Sequence, residues 1–488
     1  MQKGSITIYL ALTMAIMLSL LLTVIDGARR NAIRVEADCA FDLAVYSVFA
    51  EYNAALFDQY HLLFVDTSYG KTDGSVDQVR EHLIRFTKMN LSEGAKTVKQ
   101  ADFTKTFLED ASIDGISYAT DEEAKIFERQ AIYYMKQKYG LSYVERLKEE
   151  MTKAEKLQLF TRNVDRERNA NQAIIDEAKE KGKETGKTDE QGNPITEKIE
   201  LDNPADAVNG TRASGVLLLV TDAGTVISGK EVKLADCYSR CGASNKGQGL
   251  AGRNDISVEE KALFHAYIKD VCGCYTKQKD KGALSYQLEY ILAGKERDDE
   301  NLKNVVQRLL VMREVSNVTY LFSDGAKQAE AATLATSVCS AAGVPYLIEP
   351  VKISLLFAWA YAESLYDVRQ LLKGKRIQLV KGAQDWHISL SGMLNCAKEE
   401  AADAVMEEQE DNLRNGLSYE DYLLLMIMTK SEKEKVARMI DLIELDIRQT
   451  PGNYGFRMQN CVDAMSMQAS VGSSFGYSCE VERVFCYQ

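Results

Sequence analysis

Histidine is nearly absent. The 488 residues hold four, His61, His82, His265 and His387, scattered along the chain. That leaves little for imidazole general-base work or for metal binding. Proline is rare as well, at five residues, and the 31 glycines do not cluster into a Pro/Gly stalk. A long disordered spacer is thereby disfavoured. Basic residues are outnumbered, 59 Lys and Arg against 72 Asp and Glu, for a net charge of −13. Such a chain lacks the clustered cations that nucleic acid requires. P-loop, nucleophile-elbow and HExxH patterns are missing too. Together these absences predict a protein that is not an enzyme and carries no cofactor.

What is present is one uncharged run. Gly4 to Ile25 holds 22 residues without a charged side chain, with Lys3 before it and Asp26, Arg29 and Arg30 after it. At about 1.5 Å per residue, 20 helical residues span roughly the 30 Å of a bilayer core. The run is longer than the apolar segment of a secretory signal, and no Ala-x-Ala site closes it. Beyond Ile25 the helical pattern continues. Apolar or small residues recur at Ala28, Ala32, Val35, Cys39, Leu43, Tyr46, Ala50, Ala54 and Phe57, the spacing of one helix face. One helix from Gly4 to Phe57 is therefore expected. Its first part suits lipid, and the stripe on its second part suits the globular part or a neighbour.

Lys3-Gly4-Ser5 followed directly by this helix resembles the start of type IV pilins, and more closely that of TadE-like minor pilins. The resemblance implies cleavage by a prepilin peptidase between Gly4 and Ser5, with mature helices packed side by side. The pilin pattern has Glu at the fifth mature position, where this chain has Tyr9. Counting Lys and Arg around the run would place the bulk of the chain in the cytoplasm. The resemblance implies the outside, and that is the reading adopted.

The rest divides into an amphipathic extension at 26–60, an α+β or helical region at 61–181, a polar linker or surface excursion at 182–215, and a mostly helical α+β region at 216–488. Tyr60 to Val65 reads as a strand, and a long helical pattern runs from Thr120 to Lys181, divided at Gly140. Ala326–Ala342, Ile353–Leu372, Ala397–Asn412, Tyr422–Thr429 and Lys433–Arg448 read as helices. Trp386–Leu390 and the alternating tail through Phe475, Tyr477, Cys479 and Val481 read as strands. The fold class is α+β, predominantly helical, with a long N-terminal transmembrane and amphipathic helix carrying a large globular ectodomain.

Three features invite chemistry. Gly247, Gly249 and Gly252 match GxGxxG, but loop-like residues precede them and the next helix opens later, at Ser257 with its capping box. A plain loop is the better reading. Cys237 and Cys241 with Cys272 and Cys274 could form disulfides, hold zinc through four thiolates, or stay unpaired, and Cys479 could bridge to Cys486 if the chain turns between them. Glu363 and Asp367 share a helix face, which suits paired-carboxylate chemistry or, more simply, a salt bridge.

The N-terminal stretch together with FVDTSYG, SYQLEYILAGK, LLFAWAYAESLYDVRQLLKGK and GLSYEDYLLL resembles an uncharacterised Gram-positive family, domain of unknown function 5702. Its members resemble accessory components beside tight-adherence (Flp-type) pilus machinery. The resemblance implies a single-pass, surface-exposed component of a type IV-related pilus or secretion apparatus. Its partners would be the lipid bilayer and other pilin-like or pilus-assembly proteins, with no nucleic acid. The alternative is an anchored extracellular binding or scaffold protein, and a third reading is an extracellular enzyme.

Overall fold

The computed structural model describes residues 3–91, 103–139, 164–188, 194–213, 215–222, 224–250, 255–279, 281–395 and 416–487. The expected division at Gly140, the helix at 397–412 and Gly252 lie outside them. The chain is α+β and predominantly helical. Its described strands are β1 (Val65–Asp66), β2 (Thr106–Tyr118), β3 (Lys183–Thr188), β4 (Pro194–Glu197), β5 (Cys461–Ser473) and β6 (Tyr477–Cys486). Two compact units result. Unit 1 collects Met1–Lys138, Ala235–Ser257 and Ile440–Gln488, and unit 2 collects Tyr139–Leu234 and Val258–Met439. These boundaries do not follow the consecutive segments drawn from the sequence, because β5 and β6, at the end of the chain, pair with β2 near its beginning.

Unit 1 is built on α1 (Lys3–Phe49), 47 residues without a proline. The single long helix ends at Phe49, earlier than the expected Phe57. Asn53 begins a new helix, α2 (Ala54–Tyr60), by accepting from Leu56 N at 3.0 Å. Tyr52 forms a β-bridge to Val65, which fixes the corner between the two helices. His61 takes a left-handed conformation (φ 56°) and caps α2, so the expected strand from Tyr60 shrinks to β1. α3 (Val76–Asn90) follows, with Ser75 capping it and Val79, Leu83 and Thr87 turned inward.

β5 is the central strand. It pairs antiparallel with β2 (Thr106 opposite Ser473, Tyr118 opposite Val462), with β6 (Ala464 opposite Cys486, Ser473 opposite Tyr477) and with the short β1. One core joins this sheet to α1 and α3. Phe41, Val45 and Val48 of α1 meet Leu83, Met465, Met467 and Val471 there. α4 (Asp121–Tyr139) supplies the first part of the helical pattern expected from Thr120 to Lys181.

Unit 2 is helical. Its described helices include 164–181, α5 (Gln287–Ala293), α6 (Asp298–Ser323), α7 (Gly325–Ala341), α8 (Ile348–Leu372) and α9 (Tyr419–Met428). Gly294 ends α5 at φ 68°, and Asp324 caps α7 by accepting from Ala326 N and Lys327 N. Ser418 and Asp421 form the capping box of α9. α8 is buried on every side from Ser354 to Leu372, with α6 and α7 packed on it. The 182–215 stretch holds the β3–β4 hairpin and a helix at Pro204–Gly210. The expected strand at Trp386–Leu390 is irregular up to Ser389 and then opens a short helix at Leu390, and the Trp359 and Trp386 indoles both donate to the Ile388 carbonyl at 2.7 Å.

Candidate functional site

α1 does two different things along its length. Its side chains from Ile6 to Val24 stand largely in the open, and this part is long and apolar enough to cross a bilayer. It is compatible with a single-pass membrane anchor, and a signal sequence would satisfy the same measure. Gly4 and Ser5 lie on its first turn. From Ile33 onward one face is buried in unit 1, through Ile33, Ala37, Phe41, Ala44, Val48 and their neighbours.

That face is not the stripe read from the sequence. The stripe lies on the opposite side of the helix and faces solvent, with Val35 54%, Leu43 56% and Tyr46 60% exposed and the Cys39 thiol exposed among them. From Ile25 to Tyr46 it makes six steps in 21 residues, a mean of 3.5. A 3.5-residue repeat is the seam along which helices supercoil. Two apolar faces on one helix blur each other in any amphipathic reading, which is why the sequence alone left open whether the stripe meets the globular part or a neighbour. Acidic residues beside the stripe are held within unit 1. Arg483 donates to Asp42 at 2.5 Å and to Asp38 at 3.0 Å, and Glu36 accepts from Thr106 Oγ1 at 2.6 Å.

The glycine motif is a clamp on β2. Ile116 and Gln248 exchange both backbone hydrogen bonds, at 2.8 and 2.9 Å. Asp121 accepts from Gly247 N at 2.9 Å and from Tyr118 N at 2.7 Å. A Cβ on Gly247 would stand 2.2 Å from Asp121 Oδ2, so close approach to the Asp121 turn accounts for that glycine. A cavity of about 660 Å³ opens beside this loop, lined by Ile116, Thr120, Glu123, Tyr238 and Gln248 among others.

The cysteines do not gather. Cys237 is buried and caps the four-residue helix Tyr238–Cys241, while Cys241 is exposed at its end. Both belong to unit 1, whereas Cys272 and Cys274 are buried in unit 2. Burial pushes the Cys237 and Cys274 thiols up to about 12, with nearby acids adding to the effect. Among the described residues no three His, Cys, Asp or Glu side chains are grouped to hold a metal ion. Cys479 and Cys486 lie on one strand, β6, seven residues apart. At roughly 3.3 Å per residue that is about 23 Å, well beyond the ~7 Å limit for Cα atoms of a disulfide, so this bridge is ruled out.

Glu363 and Asp367 are brought together in unit 2 as parts of a buried charge quartet. Lys381 Nζ contacts Glu363 and lies 2.6 Å from Asp367 Oδ1. Arg313 donates to Asp367 at 3.0 Å and to the Gln378 and Leu379 carbonyls at 2.8 and 3.0 Å. Two cations thus balance two anions, all four with essentially no exposure. Burial alone would raise the Glu363 carboxyl, but Lys381 and donors from His387 and Ile388 N hold it well below the usual range. The carboxylates tie α6 and α8 to the 377–388 segment. Arg313 and Lys381 escaped the sequence reading. Arg313 stands beside Glu314 in Leu309–Val318, a pair that reads as an ordinary solvated charge couple, so the sequence did not mark it as buried.

Two further buried groups in unit 2 are neutralised by their surroundings. Glu289 accepts from Tyr275 N at 2.8 Å and from the Tyr419 hydroxyl at 2.9 Å, and burial raises it to about 7. His265 accepts from Lys435 Nζ at 2.5 Å, and burial, reinforced by Lys435 and Lys261, lowers it to about 3.

No curated protein and no solved structure matches the chain. A family model described as a family of unknown function (DUF5702) matches residues 195–473, more than half of the sequence and all of it beyond α1. The chain belongs to that family.

Proposed function

We propose that the protein is a membrane-anchored, surface-exposed, pilin-like accessory component of a type IV-related, tight-adherence pilus or secretion apparatus. It acts by assembly and carries out no reaction of its own. The observation that supports this reading is the exposed stripe on α1. The helix is already buried on one face by its own domain, yet it keeps a second apolar face with a 3.5-residue repeat that runs on from the uncharged segment. A tether needs only the segment in lipid. A building part needs a face for the next helix, and Ala28 and Ala32 at the start of the stripe allow close approach. The uncharged segment holds every copy at one depth, so like stripes meet level.

Cys39, exposed in the middle of the stripe, provides the test. Mild oxidation of native membranes should produce a cross-linked species through Cys39, lost in Cys39→Ser and restored when Val35→Cys is added to it. Mass spectrometry of that species should identify pilin-like or pilus-assembly proteins, with the mature chain starting at Ser5. Surface labelling of exposed Cys241 in intact cells should succeed. Absence of any Cys39 adduct would favour the anchored scaffold reading. An intact Met1 would exclude processing while leaving the anchor in place.

A further inference from the structure

At Asp26 the uncharged run ends, and the sheet of unit 1 reaches down to meet it. The Tyr477 hydroxyl donates to Asp26 at 2.5 Å, and Arg30 lies over the Tyr477 ring at 4.1 Å. Arg29 donates to the Phe103 carbonyl at 3.1 Å, and its guanidinium stands 3.7 Å over the Phe475 ring. Lys105 Nζ approaches the same ring at 5.5 Å. These contacts bring the β5–β6 turn and the lead-in to β2 level with the last turn of the uncharged segment.

Two of these rings stay partly open to solvent. Phe103 is 44% and Phe475 37% exposed, and Arg30 keeps 61% of its side chain in solvent. In water, phenyl rings on a turn tip are misplaced. At the end of a bilayer span they stand where aromatic side chains concentrate, in the headgroup layer. Cations on the same rim suit anionic headgroups, each contributing about 1 kcal/mol near such a surface. Asp26 offsets Arg30 through their ion pair, which leaves Arg29 and Lys105 as the cations in excess on this rim.

The geometry points to a lipid-docking collar: Arg29, Arg30, Lys105, Phe103 and Phe475 seat unit 1 on the headgroup layer of a membrane containing anionic phospholipid. The collar rests on the reading of Gly4–Ile25 as a bilayer span. It adds that unit 1 is held against the surface at a fixed height instead of swinging on its helix.

The test uses the full chain reconstituted in vesicles of neutral phosphatidylcholine, with or without anionic phosphatidylglycerol, and with nitroxide on the headgroup. Phe475→Trp places an indole in the collar. Tyr454→Trp is the control, on an exposed loop whose neighbour Asn453 bonds Asn53, beyond the far end of α1. That end lies roughly 35 Å along the helix from Asp26. After subtraction of the wild-type signal, the indole at 475 should lose about half its emission to the nitroxide and the one at 454 almost none. Arg29→Gln combined with Lys105→Gln should abolish the added quenching that phosphatidylglycerol produces. Equal quenching at 475 and 454, in protein that resists carbonate extraction, would overturn the collar alone. Extraction by carbonate would overturn the span, and the collar with it.

Discussion

Lys381 and Asp367 face each other with Nζ 2.6 Å from Oδ1, both shut away from water in unit 2. The ammonium also serves Glu363, so one cation stabilises two carboxylates on neighbouring turns of α8. Lys381→Met would leave Arg313 as the single cation against both. Breaking a buried pair from one side costs about 3–5 kcal/mol. Denaturant unfolding should show that loss for Lys381→Met. Lys381→Met with Glu363→Gln, which removes one charge of each sign, should recover a large part of it.

Glu289 predicts a stability slope between about pH 4.5 and 7. Its folded pKa, about 7, lies above its ordinary 4.5. Between those values the unfolded chain ionises while the folded one resists, so stability falls as pH rises. The full penalty is about 3 kcal/mol above pH 7. Glu289→Gln keeps an acceptor for Tyr275 N and Tyr419, and should flatten this slope in unfolding curves taken across that range.

His265 predicts the opposite slope. Its folded pKa, about 3, lies below the ordinary 6.5. The unfolded chain takes up the proton first, so the contribution present above pH 6.5 is lost as pH falls toward 3. His265→Gln retains an acceptor for Lys435 and should remove this acid sensitivity. Since the slopes from Glu289 and His265 overlap and oppose between the two ordinary values, the single variants separate what the wild type averages.

Asn53→Ala should cost about 1 kcal/mol through loss of the α2 cap. It also removes the 2.9 Å bond to Asn453, which joins this corner to the segment before β5. Asn53→Asp, which can still accept from Leu56 N, should restore most of the cap. Thermal unfolding of the three proteins checks the order.

Peptide mapping after air oxidation should find no disulfide between Cys479 and Cys486, given their separation along β6. Recovery of that linked peptide from folded protein would contradict the β5–β6 register.

Local signals were legible in the sequence where one principle acted alone. The uncharged run and the alternation in β6 both lie where they were read. β5 was missed because its residues are poor strand formers by composition, and β2 because Glu109, Asp110, Asp114 and Gly115 interrupt its Phe, Ile and Tyr. β5 runs CVDAMSMQASVGS, and Ala, Met and Ser give little β signal without knowledge of the strands on either side. The buried quartet was half legible. Glu363 and Asp367 share a face by spacing, but their partners come from Arg313 and Lys381, which only packing brings near. The stripe on α1 was found by its period, and its direction was not, because periodicity cannot say which of two apolar faces a domain will take.

β5 has a further consequence in time. The middle strand of unit 1 is Cys461–Ser473, which follows its partner β2 (Thr106–Tyr118) only after the whole of unit 2. α1 and β2 are synthesised long before β5, so a nascent chain waits with its sheet lacking a centre. Both stretches of unit 2 can be complete by then. A stop codon before Cys461 would therefore yield a chain whose helical domain could fold while the part next to α1 could not. β5 and β6 make the difference between a long helix with an unpaired β2 and a complete sheet packed on it.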